Sequence, residues 1–125
     1  MQVKGTHHVA LRTPNFEAME QFYSQTLGFP VVRRWDDKKI IFIDIGSTTI
    51  ELIGRDEATA DTKPTGGWDH VALLVDSVDD AYAELVEKGV RIRSAPTDAG
   101  EVRIAFFFDP DGNVLELFEE KEVRR

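Results

Sequence analysis

The sequence predicts an α+β fold in which two tandem βαβββ modules form a curved mixed sheet, a cup, with the helices outside. The segment His-Val-Ala-Leu occurs twice, beginning at His8 and at His70. A strand-like segment containing Glu-Leu also occurs twice, with Glu51 and Glu116 in matching places. Repetition of a whole supersecondary unit fixes the architecture, because a single unit of about fifty residues cannot close a core alone.

Length and composition indicate one domain, residues 1–125, that is soluble and cytoplasmic. The net charge of −8 repels phosphate backbones and argues against a nucleic-acid partner. Hydrophobic residues make up 42% of the chain, which suffices for a core but not for a membrane span, and no signal peptide is visible. Because the chain has no cysteine, a metal site must use imidazole and carboxylate ligands.

The first module is predicted at about residues 4–54. Its alternating and helical spacings predict a strand at residues 7–12, a helix at 16–27, and strands at 31–35, 39–45 and 48–53. The helix has an apolar stripe, predicted to pack on the sheet, at Phe16, Met19, Phe22, Tyr23 and Leu27. Alternation in the first strand places His8 and Arg12 on one face and His7 on the other.

A linker without periodicity is predicted at about residues 55–67, before a second module at about residues 68–120. This module is predicted to contain a strand at residues 69–75, a helix at 78–88, and strands at 90–94, 102–108 and 113–118. Ser77 is a suitable N-cap for the helix, and residues 97–101 are predicted to form a loop. Each module thus has one strand, one helix and three strands.

The four repeated polar residues, His8, Glu51, His70 and Glu116, are predicted to bind a divalent metal ion. A single strand histidine is more often structural, and a single glutamate between apolar residues more often faces solvent. Their occurrence at matched positions in both modules favours the metal site, since burying two carboxylates without a cation would be costly. Imidazole and carboxylate suit nickel, cobalt, zinc, manganese or iron. His7 is not expected to be a ligand.

Two motifs carry a resemblance that spans residues 6–120. One is the segment at residues 104–117, in which an Asp-Pro-Asp-Gly turn precedes the Glu-Leu strand, and the other is the His-Val-Ala-Leu opening followed by Phe22-Tyr23 and Leu27-Gly28-Phe29. Together they resemble the vicinal oxygen chelate superfamily, which includes glyoxalase I, methylmalonyl-coenzyme A epimerase, extradiol dioxygenases and fosfomycin-resistance proteins. The carboxylate at Glu51, a fourth ligand, is similar to glyoxalase I, and Arg12 matches an arginine that holds a substrate carboxylate there. Arg55 stands where that group often has an asparagine that helps to hold glutathione, so the thiol stays open.

The resemblance implies a glyoxalase I-like metal-dependent lyase acting on a small molecule. It would isomerise the hemithioacetal of a 2-oxoaldehyde, such as methylglyoxal, and a thiol through a metal-bound enediolate, with Glu116 as the principal base and Glu51 as its counterpart. The two roles could be exchanged. The alternatives are an epimerase of the methylmalonyl-coenzyme A type and a small-molecule or antibiotic-binding protein. Members of this superfamily commonly pair, so we expect a homodimer.

Overall fold

The computed structural model describes residues 2, 4, 6–55 and 70–120. The chain divides into two compact units, a first unit of Met1–Thr62 and a second unit of Lys63–Arg125. Most of the predicted linker, residues 56–67, lies outside the described residues. The module boundaries therefore stay a prediction.

The described residues of the first unit form one α-helix, two short helical segments of other types and a four-stranded mixed sheet. Its elements are β1 (His8–Thr13), α1 (Phe16–Gln21), β2 (Val31–Trp35), β3 (Ile40–Asp44) and β4 (Thr49–Gly54). The strands lie in the order β1-β4-β3-β2, with β1 parallel to β4 and the other neighbours antiparallel. The first and last strands of the unit are therefore neighbours in the sheet.

Helix α1 is shorter than predicted and continues as a π-helical segment, Phe22–Thr26. The amide of Leu27 donates to the carbonyl of Phe22, which widens the last turn. Phe22 and Tyr23 are both buried, and their rings meet edge to face at 5.4 Å. The wider helical turn thus allows two successive aromatic side chains to face the core. The predicted packing role of the apolar stripe is confirmed by the burial of Phe16, Met19, Phe22 and Tyr23.

The second unit repeats this arrangement with β5 (Val71–Leu74), α2 (Val78–Glu87), β6 (Ile92–Ala99), β7 (Val102–Phe108) and β8 (Val114–Glu120). Its strands lie in the order β5-β8-β7-β6, again with the first and last strands parallel. The side chain of Ser77 accepts a hydrogen bond from the amide of Asp80 and caps α2, as predicted. Glu119 adds a second cap, because its carboxylate accepts from the amide of Val78.

Strand β6 is longer than predicted. The prediction of a loop at residues 97–101 is wrong, because Thr97 pairs with Ile104 and Ala99 with Val102, and only a turn at Gly100 separates β6 from β7. Pro96 lies inside the strand. Since β6 is at the edge of its sheet, a residue without an amide hydrogen is tolerated there.

The predicted α+β class and the tandem βαβββ order are confirmed. Apart from Phe42, the buried apolar residues that the structure describes lie on the helix of each unit and on one face of its strands, as Met19, Leu52, Val78 and Leu115 illustrate. Polar residues alternate with them, so the opposite face of each sheet is available for a site. No helix in the described part of the chain is long and apolar enough to cross a membrane.

Candidate metal centre

In the first unit, His8 and Glu51 come together on the face of the sheet that points away from the helix. Parallel pairing of β1 and β4 sets Ala10 beside Glu51, and His8 lies two residues earlier on the same face. His8 Nε2 is 3.3 Å from Glu51 Oε1. The small side chain of Ala10 leaves space for the imidazole to reach the carboxylate, which gives a local reason for the His-Val-Ala-Leu motif.

The second unit forms the same pair from the same register. Ala72 lies beside Glu116 in the parallel pairing of β5 and β8, and His70 precedes Ala72 by two residues. His70 Nε2 is 2.9 Å from Glu116 Oε1. The Glu116 side chain is 9% exposed and that of Glu51 16%, so the carboxylate of the second unit is the better shielded one.

A phenylalanine completes each pair and was not predicted. Phe42 on β3 lies directly opposite Glu51, and Phe106 on β7 lies opposite Glu116. The ring of His8 meets Phe42 edge to face at 5.4 Å, and that of His70 meets Phe106 at 5.7 Å. Each imidazole thus has an aromatic ring beside it that limits its rotation. Phe42 precedes Glu51 by nine residues and Phe106 precedes Glu116 by ten, so no equal spacing in the sequence marks this role, which follows from the register of the strands.

The prediction that His7 faces away from the site is wrong. Strand β1 begins at His8, so strand alternation does not apply to His7. A hydrogen bond of 2.8 Å joins His7 Nδ1 to His8 Nδ1, and the His7 ring lies 6.4 Å from that of Phe42. Metal-ligating histidines commonly have their second ring nitrogen held in this way, which leaves Nε2 directed at the ion. His7 is therefore placed to orient His8.

Arg12 lies on β1 on the same face as His8, as predicted, and is exposed. It pairs with Ile53 of β4, two residues beyond Glu51. In the second unit the corresponding residue, four positions after His70, is the exposed Leu74. The two units therefore share the histidine–glutamate pair but differ beside it. A substrate-binding role for Arg12 stays a prediction.

Each pair fits a divalent metal ion by its donors and its spacing. Nitrogen and oxygen ligands lie about 2.0–2.2 Å from such ions, so two of them at a right angle are about 3 Å apart. The observed separations of 3.3 and 2.9 Å agree with this value. Across the described ranges 6–55 and 70–120, no three histidine or acidic side chains lie close enough together to hold an ion. The structure thus joins the predicted ligands in two pairs, and their convergence on one ion stays a prediction.

The Asp-Pro-Asp-Gly motif has a structural role beside the second pair. Asp109 is buried, and its Oδ1 accepts hydrogen bonds from the amides of Asp111 and Asn113 while its Oδ2 accepts from Asn113 Nδ2. Gly112 has a φ of 86°, which glycine adopts readily. This fixed turn joins β7 to β8 and sets the register that places Glu116 beside Phe106.

Comparison with known proteins identifies the family. The profile of the glyoxalase/bleomycin resistance protein/dioxygenase superfamily matches residues 5–117. The chain is 36% identical to the protein YwkD of Bacillus subtilis (strain 168), with 96% of this chain and 100% of YwkD covered. It is 28% identical to a lactoylglutathione lyase of Escherichia coli O157:H7, with 94% of both chains covered.

A solved structure agrees with this result. A glyoxalase family protein from Enterococcus faecalis is 33% identical, with a TM-score of 0.74 and coverage of 93% of this chain and 98% of that one. The matched residues include both histidine–glutamate pairs. The match ends at residue 117, three residues before the end of β8. The chain therefore belongs to the glyoxalase/bleomycin resistance protein/dioxygenase superfamily.

Proposed function

We propose that this protein is a glyoxalase I-like metal-dependent lyase, which isomerises the hemithioacetal formed by a 2-oxoaldehyde and a thiol. The observation that carries the proposal is the repeated pair of an imidazole nitrogen and a carboxylate oxygen, 3.3 Å apart in the first unit and 2.9 Å apart in the second. A small-molecule binding protein does not need two shielded carboxylates, because burying them without a cation is costly. The name of the Escherichia coli relative gives the same class of reaction.

In this proposal His8, Glu51, His70 and Glu116 hold one divalent ion, which is nickel, cobalt, zinc or manganese. The two pairs must then meet at one ion, within a chain or across two chains. A bound ion supplies Lewis acidity, which stabilises negative charge on the substrate oxygens. His7 keeps His8 in position through the hydrogen bond between their Nδ1 atoms.

Glu116 is the proposed base. Its carboxylate takes the proton from the substrate carbon next to the carbonyl group, and Glu51, protonated from water, gives a proton to the neighbouring carbon. Glu116 then releases its proton to water, which restores both carboxyl groups for the next turnover. The lower exposure of Glu116, 9% against 16% for Glu51, favours this assignment, because fewer water molecules compete with the substrate for its carboxylate oxygens. Arg12, exposed on the same face as His8, is proposed to bind a carboxylate of the substrate.

Turnover by the reconstituted protein tests the proposal. Protein loaded separately with nickel, cobalt, zinc or manganese is mixed with methylglyoxal and a series of thiols, and formation of the thioester is followed. Turnover with at least one metal, and loss of it on chelation, is expected. Stoichiometric binding of a hemithioacetal without turnover under any of these loadings would contradict the proposal and favour a binding protein.

An epimerase acting at the carbon next to a thioester is the second candidate. Such a reaction needs one proton-transferring group on each face of the carbon, and the matched carboxylates Glu51 and Glu116 would supply two. Racemisation of a chiral 2-substituted thioester, without turnover of any hemithioacetal, would favour this candidate.

We further propose a homodimer in which each metal site takes one histidine–glutamate pair from each subunit. His8 begins β1 and His70 directly precedes β5; both are edge strands of their own sheets, and such strands favour pairing. Coexpression of His8→Ala and His70→Ala chains is the test. About half of the dimers are then mixed, and each mixed dimer has one intact site of two, so about a quarter of the parental activity should return.

A site built within one chain predicts a different result. Neither variant then has an intact site, so coexpression would restore no activity. Sedimentation that shows only monomer at micromolar concentration, with metal still bound, would also contradict the shared site.

A further inference from the structure

Two cationic side chains near the histidine–glutamate pair of the first unit lie against aromatic rings. The guanidinium carbon of Arg33, on β2, is 5.7 Å from the ring centre of Trp35 and 5.6 Å from that of Phe42. Lys38 Nζ, in the turn after β2, is 5.4 Å from the ring centre of Trp35. Among the residues that the structure describes, no carboxylate forms an ion pair with Arg33 or Lys38, although the chain has 23 acidic and only 15 basic residues.

The neighbouring cations behave differently. Arg34 donates hydrogen bonds to Glu20 and Asp36, which raise the pKa of its guanidinium above the ordinary value. Lys39 Nζ lies 4.0 Å from a carboxylate oxygen of Glu17. Arg34 and Lys39 thus have acidic partners on helix α1. Among the described residues, Arg33 contacts the rings of Trp35 and Phe42, and Lys38 contacts the ring of Trp35.

Arg33 also lines a cavity of about 460 Å³ in the first unit. His7, Phe42, Ser47 and Thr49 contribute to its wall. Asp44 lines it too, with Oδ1 accepting a hydrogen bond from the amide of Gly46. Phe42 connects the cavity to the His8–Glu51 pair, because the centre of its ring lies 5.4 Å from that of the His8 ring. The volume is sufficient for a small organic group rather than for an inorganic ion alone.

The second unit repeats the pattern with other residues. Arg91 lies 4.2 Å from the ring centre of Phe108, and Arg93 lies 5.7 Å from that of Phe106, the ring beside His70. Arg103, in contrast, is paired with Asp79 and Asp98. Cations over the rings beside the histidine–glutamate pairs are therefore a feature of both units.

We propose that Arg33 and Lys38, which lie against the ring of Trp35, bind an anionic oxygen group of the substrate, a carboxylate or a phosphate, next to the His8–Glu51 pair. The proposal deepens the proposed function and rests on it for the identity of the ligand as substrate. A guanidinium group matches two oxygens of either anion at once, and its contact with an aromatic face holds it extended before the anion arrives. This anion site is separate from Arg12, which lies on the edge strand β1.

Binding of three matched probes by metal-free protein tests the site without any turnover. Propionate, propyl phosphate and the neutral 1-propanol are titrated at constant ionic strength, and the NMR signal of the Trp35 indole N–H is followed, with Trp68→Phe used to assign it. Saturable shifts are expected with one or both anions and not with propanol. Arg33→Gln should weaken anion binding about tenfold or more. Arg34→Gln removes the same charge from the next residue and should change the binding less than twofold.

Three results would overturn the site: no saturable shift with either anion, saturation by propanol at the same concentration, or equal losses in Arg33→Gln and Arg34→Gln. The relative affinities of propionate and propyl phosphate decide between a carboxylate and a phosphate. Anion binding by a protein that turns over no hemithioacetal would leave the anion site standing and remove the proposed function. Where turnover is found, Arg33→Gln should raise KM for the adduct of 3-mercaptopropionate and leave KM for the adduct of 2-mercaptoethanol unchanged.

Discussion

Replacement of Glu116 by glutamine is expected to lower kcat by about a hundredfold to ten-thousandfold, the usual loss when a general base is removed. Glutamine has the same shape and keeps one oxygen beside His70 Nε2, but it cannot accept a proton from carbon. The folded state and much of the metal affinity should persist, so the loss belongs to the proton transfer. Turnover of a hemithioacetal by metal-loaded variant and parent measures the effect.

Glu120→Gln is the matched control, because Glu120 is an exposed carboxylate on the same strand and should be replaceable without loss of rate. Glu51→Gln shows whether the second carboxylate takes part. In deuterated water, exchange at the transferring carboxylate should leave label at the product carbon. Near-parental rates in both Glu116→Gln and Glu51→Gln, with no label in the product, would rule out carboxylate-mediated proton transfer.

Replacement of His70 by alanine should reduce metal affinity by more than about a hundredfold. Removal of a group that only orients a ligand typically costs about 10-fold to 100-fold, and His70 is proposed to be a ligand itself. The change deletes the imidazole nitrogen that lies 2.9 Å from Glu116 Oε1 and leaves the carboxylate without its neighbouring donor. Elemental analysis after reconstitution and dialysis, followed by competition with a chelator, gives the affinity. The parent is expected to hold one ion per chain.

His7→Phe provides the comparison for this measurement. Phenylalanine keeps an aromatic ring near Phe42 and removes the nitrogen that bonds His8, so metal affinity should fall by no more than about a hundredfold while the stoichiometry remains one. Equal metal content and equal affinity in His70→Ala and the parent would show that His70 is not a ligand.

The sequence allowed the fold and the two pairs to be predicted because both depend on short-range patterns that occur twice. The predicted bounds of β2 and β7 agree with the structure at both ends. The faces of His8 and Glu51 followed from strand alternation, since one residue decides which side of a sheet a side chain takes. Repetition then distinguished these residues from ordinary strand residues.

Features that depend on pairing between strands could not be predicted in the same way. The contact of Phe42 with His8 needs the register of β3 against β4, which no local pattern specifies. The start of β1 decided the position of His7, and an error of one residue reversed its predicted face. The role of Arg33 and Lys38 could not be predicted, because only the structure shows that Arg34 and Lys39 have acidic partners while these two have none among the described residues.

The parallel pairing of the first and last strands of each unit has a consequence for folding. Thr49 Oγ1 donates to the carbonyl of His7, 42 residues earlier in the chain, so β1 meets β4 only after the intervening chain has been closed into a loop. Contacts of such long sequence separation form late, after the local helix and the antiparallel neighbours. An ion held by the histidine–glutamate pairs is therefore expected to slow unfolding and to leave the refolding rate almost unchanged. The lifetime of the native state would then depend on metal supply more strongly than the time needed to reach it.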